Sequence, residues 1–346
     1  MHSKSDTIVR ETNIFMVNRE LIRLKVVQLT YAHYQNGNSK LDTAEKELAF
    51  SLSKAYDLYL YMLSLMVAVN RIAERSVETA QNRWRRLGEG EAPSTKFIDN
   101  RFMAQLQSNI QLNEFSEDQN KTWADEEEFV RRLYKQVVAS DVYKEWMADD
   151  RETTYEEDRD FWRRLYRAVF VENEDLDQIL EDKSLYWNDD RFIVDTFVLK
   201  TIKRFTPKTG SRQELMPEFK DEEDRDFATR LFRASLLGAE NYRMMVSQTL
   251  RNWDLNRLAL MDLIILQTAL AEICTFPTIP ISVTINEYVE IAKMYSTPQS
   301  GRYVNGMLDA IARRLIEEGK VKKMMPEPHS SDEEQPENEE KIGTDE

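Results

Sequence analysis

The chain has 346 residues, a formal net charge of −15 at pH 7, and only 9 Gly and 9 Pro. That length can bury one large core or two ordinary ones, and the scarcity of helix-breaking residues points to an all-helical protein. The acidic excess excludes a general nucleic-acid coat, because phosphate binding draws on Lys and Arg that displace counterions; any contact with RNA needs a local patch or a basic partner.

The N-terminal segment, "MHSKSDTIVRETNIFMVNREL", lacks the apolar block of a signal peptide. The first strong helix is "NRELIRLKVVQLTYAHYQNG", in which Ile22, Val26 and Leu29 form a core-facing stripe at i, i+4 and i+7. Arg19 and Arg23 sit four apart on another face, so their charges are expected to project together. Asn36–Gly37 ends the helix, Gly being favoured just past a C-cap.

Residues 40 to 86 predict two or more helices, and "GEGEAPS" breaks them. "NRFMAQLQSNIQLNEF" predicts another helical stretch. These segments supply Leu, Tyr and Met at helical spacing and no chemistry, so they read as core.

The middle of the chain contains a repeat. "EEDRDFWRRLYRA" (Glu156–Ala168) and "EEDRDFATRLFRA" (Glu222–Ala234) match at an offset of 66 residues, and the same offset aligns "WNDDR" from Trp187 with "WDLNR" from Trp253. Two blocks under one offset indicate an internal duplication. A fainter third copy, "DEEEFVRRLYK", begins at Asp125. Acidic residues in the first turn suit the helix dipole. Phe161, Leu165 and Val169, like Phe227, Leu231 and Ser235, run down one face, so each unit needs helical neighbours. "RFTPKTGSRQELMPE", with two Pro and a Gly, is the expected internal boundary.

Beyond it come helices broken at "RNWDLN", "TFPTIP" and "YSTPQSG". The most apolar stretch, Leu258 to Ile273, is interrupted by Asp262, Gln267 and Glu272 and reads as a buried central helix, too short and too polar for a membrane span. In the last helix Val304, Leu308, Ile311 and Leu315 point inward, with Thr297 as the expected N-cap and Pro298 in the first turn. Arg302 near that helix start is mildly unfavourable to the dipole unless a phosphate lies close. Tyr303 has two readings: a plug on the side of the helix, or a ring on which an unpaired base stacks. Gly301 and Gly306 are read as keeping bulk away, one for an approaching strand and one for close helix packing. The tail after residue 324 is acidic and dotted with Pro, and reads as disordered.

The run "NWDLNRLALMDLIILQTALAEI…PTIPISVTINEYVEIAKMYSTPQSGRYVNGMLDAIARRL" closely resembles the C-terminal part of the NusB family of transcription antitermination factors. The shared pattern is Trp-Asp-Leu-x-Arg-Leu, then Ala-Leu-x-Glu, Ile-Asn-Glu, Glu-Ile-Ala-Lys and Ser-x-x-Tyr-Val-Asn-Gly-x-Leu-Asp. The first helix resembles the family's Arg-bearing first helix, with Arg23 and Gln28 in matching places. The resemblance covers that helix and roughly residues 220 to 318. It implies an all-α fold of two packed subdomains in four stretches: 1–37 with the first helix, an additional and partly duplicated helical region at 38–215, the NusB-like core at 216–324, and the tail at 325–346.

By that resemblance the function expected is binding of boxA-type single-stranded RNA together with the ribosomal protein NusE. The complex helps RNA polymerase, through other Nus factors, read through terminators, notably in ribosomal RNA operons. The positions expected at the RNA edge are Arg19, Arg23, Tyr295, Gln299, Arg302 and Tyr303. Asp262 is expected on the NusE side, in competition with a structural hydrogen bond to a helix end. The chain departs from the family at Gln299, where an acidic residue is common, and at Gln267, where Arg is usual and a structural role is expected. No catalysis, cofactor or metal is expected: His2, His33 and His329 are scattered and no His/Cys/carboxylate set has ligand spacing. The lone Cys274 fits a reducing, cytoplasmic setting. A helical adaptor that keeps the fold without binding RNA is the alternative. An enzyme with its site in residues 38–215 has no motif in its favour.

Overall fold

The computed structural model describes residues 16–37, 40–88, 91–118, 122–187, 189–250, 258–297 and 299–323. Among these the chain is all-helical, with fourteen α-helices and no strand. The acidic tail, the second Trp block from Trp253, the "RNWDLN" break and Pro298 lie outside the described residues. The chain forms two compact units, residues 1–233 and 234–346.

The first unit begins with α1 (Arg19–Gln35), capped by Asn18, whose Oδ1 accepts from Leu21 N at 2.9 Å, and stopped by Asn36 and left-handed Gly37. Ile22, Val26 and Leu29 are buried as predicted. Residues 40 to 86 do not form several helices: α2 (Leu41–Leu87) is one continuous helix of 47 residues. No Gly or Pro falls within it, and Gly88, at φ 66°, is the first residue that can stop it. Its apolar middle has the length and hydropathy of a membrane span but is 67% buried inside the protein.

"NRFMAQLQSNIQLNEF" gives two helices, α3 (Arg101–Gln107) and α4 (Ile110–Asp118), because Asn109 caps the second through Leu112 N. Then follow α5 (Glu127–Ala139), α6 (Asp141–Ala148), α7 (Tyr155–Leu165), which ends in a π turn at Tyr166–Phe170, α8 (Glu174–Lys183) and α9 (Arg191–Arg204). The segment expected to be an internal boundary lies inside this unit. Leu215 and Met216 insert into the core, and Pro217 and Glu218 carbonyls accept from Met16 and Val17 N–H at 3.0 and 2.7 Å. The division between the units instead falls within α10 (Glu222–Leu237).

The repeated motif forms helices in both copies, α7 and α10, and its apolar stripe is buried in both. The copies also share a contact. Asp158 accepts from Arg101 Nε at 2.8 Å, and Asp224 accepts from Arg19 Nε at 3.1 Å. In each case the Arg directly follows the Asn that caps its own helix, Asn100 or Asn18. The duplication thus extends to a partner helix whose Asn-Arg pair clasps the third acid of Glu-Glu-Asp. The third copy, α5, buries Phe129, Leu133 and Val137 in the same way.

In the second unit, α11 (Ala239–Thr249), α12 (Leu260–Thr275), α13 (Ile281–Tyr295) and α14 (Ser300–Glu317) pack together. From Asp262 to Ile273 every residue of α12 is buried, so it is the central helix that its composition predicts. Its polar residues are bonded. Glu272 accepts from Thr284 Oγ1 at 2.8 Å, and Gln267 donates to the Ser235 carbonyl at 2.9 Å.

Candidate functional site

The site is assembled where α13 turns into α14. Ser300, the first residue of α14, is buried and holds the turn to α12: its Oγ donates to Asp262 Oδ2 at 3.2 Å and lies 2.9 Å from Ser296 Oγ and 3.0 Å from Thr297 Oγ1. Thr297 is therefore not the N-cap. That position belongs to Gln299, whose side chain makes no capping bond, while Thr297 directs its N–H to Ser300 Oγ at 3.3 Å. Pro298, expected in the first turn, lies before Ser300 in sequence and outside the described residues. The four inward positions Val304, Leu308, Ile311 and Leu315 are buried as expected.

Of the two glycines, Gly301 makes the close helix contact: a Cβ there would sit 3.0 Å from Lys293 Cγ and 3.7 Å from Val289 Cγ1 on α13. Gly306 is exposed, and nothing lies within 4 Å of a Cβ built on it, so it packs against no helix.

Arg302 is exposed, and among the described residues it has no hydrogen bond or ion pair. Most other arginines are bound to carboxylates, among them Arg101, Arg163, Arg233 and Arg313. Tyr303 beside it is half-buried. Its hydroxyl is out of water and meets no hydrogen-bond partner among the described residues. Burial pushes the Tyr303 phenol up, and the negative charge of Asp262 adds to the shift. Asp262 is 7% exposed, and its Oδ1 also lacks a hydrogen-bond partner among the described residues. Such atoms are costly in a folded chain unless a ligand, water or partner completes them. Gln299 is exposed, and Tyr295, the last residue of α13, is half-buried. The structure thus gathers Asp262, Tyr295, Gln299, Arg302 and Tyr303 at one end of the second unit.

The first-helix arginines, in the first unit, behave differently. Arg19 and Arg23 do share a face, but that face meets α10, with their guanidinium carbons 5.0 and 5.6 Å from the Phe227 ring centre. Arg19 also bridges Glu223 at 2.8 Å and Asp224 at 3.1 Å. Arg23 is only 3% exposed. The expectation that this pair projects to a ligand does not hold for Arg23, because α1 is buried almost all round, Arg23 and Lys25 included.

Sequence reasoning missed Ser300. Its one signal is a Ser four residues after Ser296, the spacing that lets two hydroxyls meet across a turn. Gln267 meets its structural expectation: it is buried and accepts from Arg243 Nε at 3.3 Å as well as donating to Ser235. Among the described residues no group of three His, Cys, Asp or Glu is placed to hold a metal ion.

Residues 200–313 match the profile of the NusB family. The transcription antitermination protein NusB of Salinibacter ruber is 35% identical over 132 residues, which cover 36% of this chain and 82% of that protein. The chain belongs to the NusB family. The NusB protein of Koribacter versatilis is 39% identical over 102 residues, 30% of this chain and 70% of the relative. A solved structure, T. maritima NusB, shares 32% identity over 36% of this chain and 80% of that one, with a TM-score of 0.27. The Salinibacter and Koribacter proteins each match about a third of the chain, and the family profile spans residues 200–313, so most of the first unit lies outside the profile match.

Proposed function

We propose that the protein is a transcription antitermination factor that binds boxA-type single-stranded RNA together with the ribosomal protein NusE. On this reading it is a cytoplasmic, non-catalytic factor that promotes read-through by RNA polymerase within an assembly of other Nus factors. The observation that carries the RNA reading is Arg302, a cationic side chain left unpaired among the described residues of a chain of net charge −15, beside a partly open tyrosine ring at a helix start. A guanidinium and an aromatic face side by side suit a phosphate and an unstacked base, the base contact contributing about 1–3 kcal/mol.

Binding by the acidic chain alone is expected to be weak and to strengthen when a basic partner completes the surface. The test is a titration of labelled boxA-containing RNA at two salt concentrations, with and without NusE. Salt-sensitive binding, strengthened by NusE and reduced by Arg302→Ala and Tyr303→Ala, supports the proposal. Binding of NusE with no change in RNA affinity makes the protein an adaptor instead.

A further inference from the structure

The exposed end of α2 is another place where several arginines stand without carboxylates. The last buried residue of α2 is Ala73, and the helix runs on to Leu87, about four turns or ~20 Å beyond it. From Thr79 to Gly88 the sequence is "TAQNRWRRLG", three arginines with no acid. Arg71, Arg83 and Arg86 have no hydrogen bond or ion pair among the described residues. Arg85 reaches only the Asn82 side chain, at 3.4 Å, and Arg75 reaches Glu127 at 3.4 Å.

At 3.6 residues per turn, Arg71, Arg75 and Arg86 fall within about 60° of one another, with Arg83 and Arg85 on either flank. Glu78 lies on the same face and Glu74 at its margin, which still leaves five positive against two negative charges between positions 71 and 88. Arg71 and Arg86 stand about 22 Å apart along the axis, long enough to follow several phosphates of an extended strand. Trp84, 37% exposed, falls on the opposite side of the helix from Arg71, Arg75 and Arg86.

We propose that this arginine face of α2 is a second contact for single-stranded RNA, one that grips the strand's backbone outside the Arg302–Tyr303 edge. It rests on the reading that the protein binds RNA. The stripe lies in the first unit and outside the matched residues 200–313. A row of guanidinium groups, of which Arg71, Arg83 and Arg86 carry no carboxylate among the described residues, complements the phosphate backbone of the strand that the Arg302–Tyr303 edge is read to bind. The contact is sequence-independent, because phosphates position a strand without specifying it.

The test compares two labelled RNAs that share one boxA-type core, a minimal strand of about 12 nucleotides and a strand extended to about 30. Both are titrated against the full chain, an Arg71→Gln/Arg83→Gln/Arg86→Gln variant, Trp84→Ala and Arg302→Ala. All four substituted positions of α2 are exposed, so circular dichroism and melting should match the wild type. The expected result is unchanged affinity of the triple variant for the minimal RNA and about tenfold weaker binding of the extended one. The slope of log K against log salt should become shallower by about 2, at ~0.7 for each phosphate that the variant no longer neutralises. Trp84→Ala, on the opposite side of the helix, should leave the affinity for both RNAs unchanged. Unchanged affinity and slope on the extended RNA, with Arg302→Ala still weakening both strands, would overturn the inference alone. Selective loss of binding to a peptide of residues 326–346, with RNA unaffected, would assign the stripe to the acidic tail and also overturn it. Failure of the wild type to bind either RNA would remove the proposed function and this second RNA site together.

Discussion

Lys25→Met should destabilise the protein, and by more at neutral than at acidic pH. Lys25 Nζ lies 2.7 Å from Asp190 Oδ1, with side chains 2% and 0% exposed, so an ion pair inside the first unit ties α1 to the start of α9. Burial pushes the Asp190 carboxyl up to about 6, while the Lys25 charge pulls the other way. An unfolded Asp titrates near 3.9, and each unit of difference is worth about 1.4 kcal/mol. Because the folded value is raised, the stability that the neutral carboxyl confers is present at low pH and lost as pH rises through this window. In the wild type that loss reaches about 3 kcal/mol once pH passes 6. Without the ammonium the carboxyl is pushed up further, so the loss keeps growing above pH 6. At pH 5, below the folded value in both proteins, the two have lost the same amount, about 1.5 kcal/mol, so the penalty of the substitution should be larger at pH 7.5 than at pH 5. Urea unfolding followed by circular dichroism at the two pH values measures it. A double variant with Asp190→Leu should recover most of the loss. An equal penalty at both pH values, or none at pH 7.5, would refute the reasoning.

Other substitutions test single contacts. Gly306→Ala, in an exposed helix interior with nothing within 4 Å, should raise stability by about 0.5–1 kcal/mol in thermal melts. Tyr303→Phe should leave the free protein as stable or up to about 1 kcal/mol more so, since it deletes a buried, unpartnered hydroxyl; lower stability would mean that the hydroxyl is bonded after all. Ser300→Ala should cost about 1–2 kcal/mol in denaturant melts, because it leaves both Asp262 carboxylate oxygens unsatisfied. Arg19→Ala should cost more than an exposed ion pair does, about 2 kcal/mol or above in the same assay. It uncovers Asp224, which is 3% exposed and already has one unsatisfied oxygen.

The fold was legible where periodicity alone decides it. The stripes of α1, α7, α10 and α14 and the central role of α12 follow from i, i+4 spacing, which depends only on helix geometry. The single long α2 was legible too, in the absence of Gly and Pro from Leu41 to Leu87, although at 47 residues it far exceeds the usual helix of about 11–12 residues. Arg23 was misread because α1 is buried almost all round, the Arg23 position included. Lys25 and Arg19 are satisfied by Asp190 and Asp224, more than 160 residues away, and no local pattern carries such pairing. The capping of α14 failed for a related reason: Thr297 was a sound local choice, but Ser300 is held by Asp262 from another helix and takes the loop's bonds. The shared Asn-Arg clasp was visible in sequence only as a dipeptide, too short to read before its two acids were seen to receive it.

The claim on which the functional account rests is that a nucleotide strand lies against Arg302 and Tyr303. A boxA-type RNA carrying a photoreactive uridine, bound to the full chain with NusE and irradiated, would report its neighbours directly through mass mapping of the adduct. The account predicts an adduct on the peptide containing Tyr295 to Tyr303, abolished when Tyr303 is replaced by Ala. Efficient crosslinking confined to other peptides, with this one untouched, would contradict it.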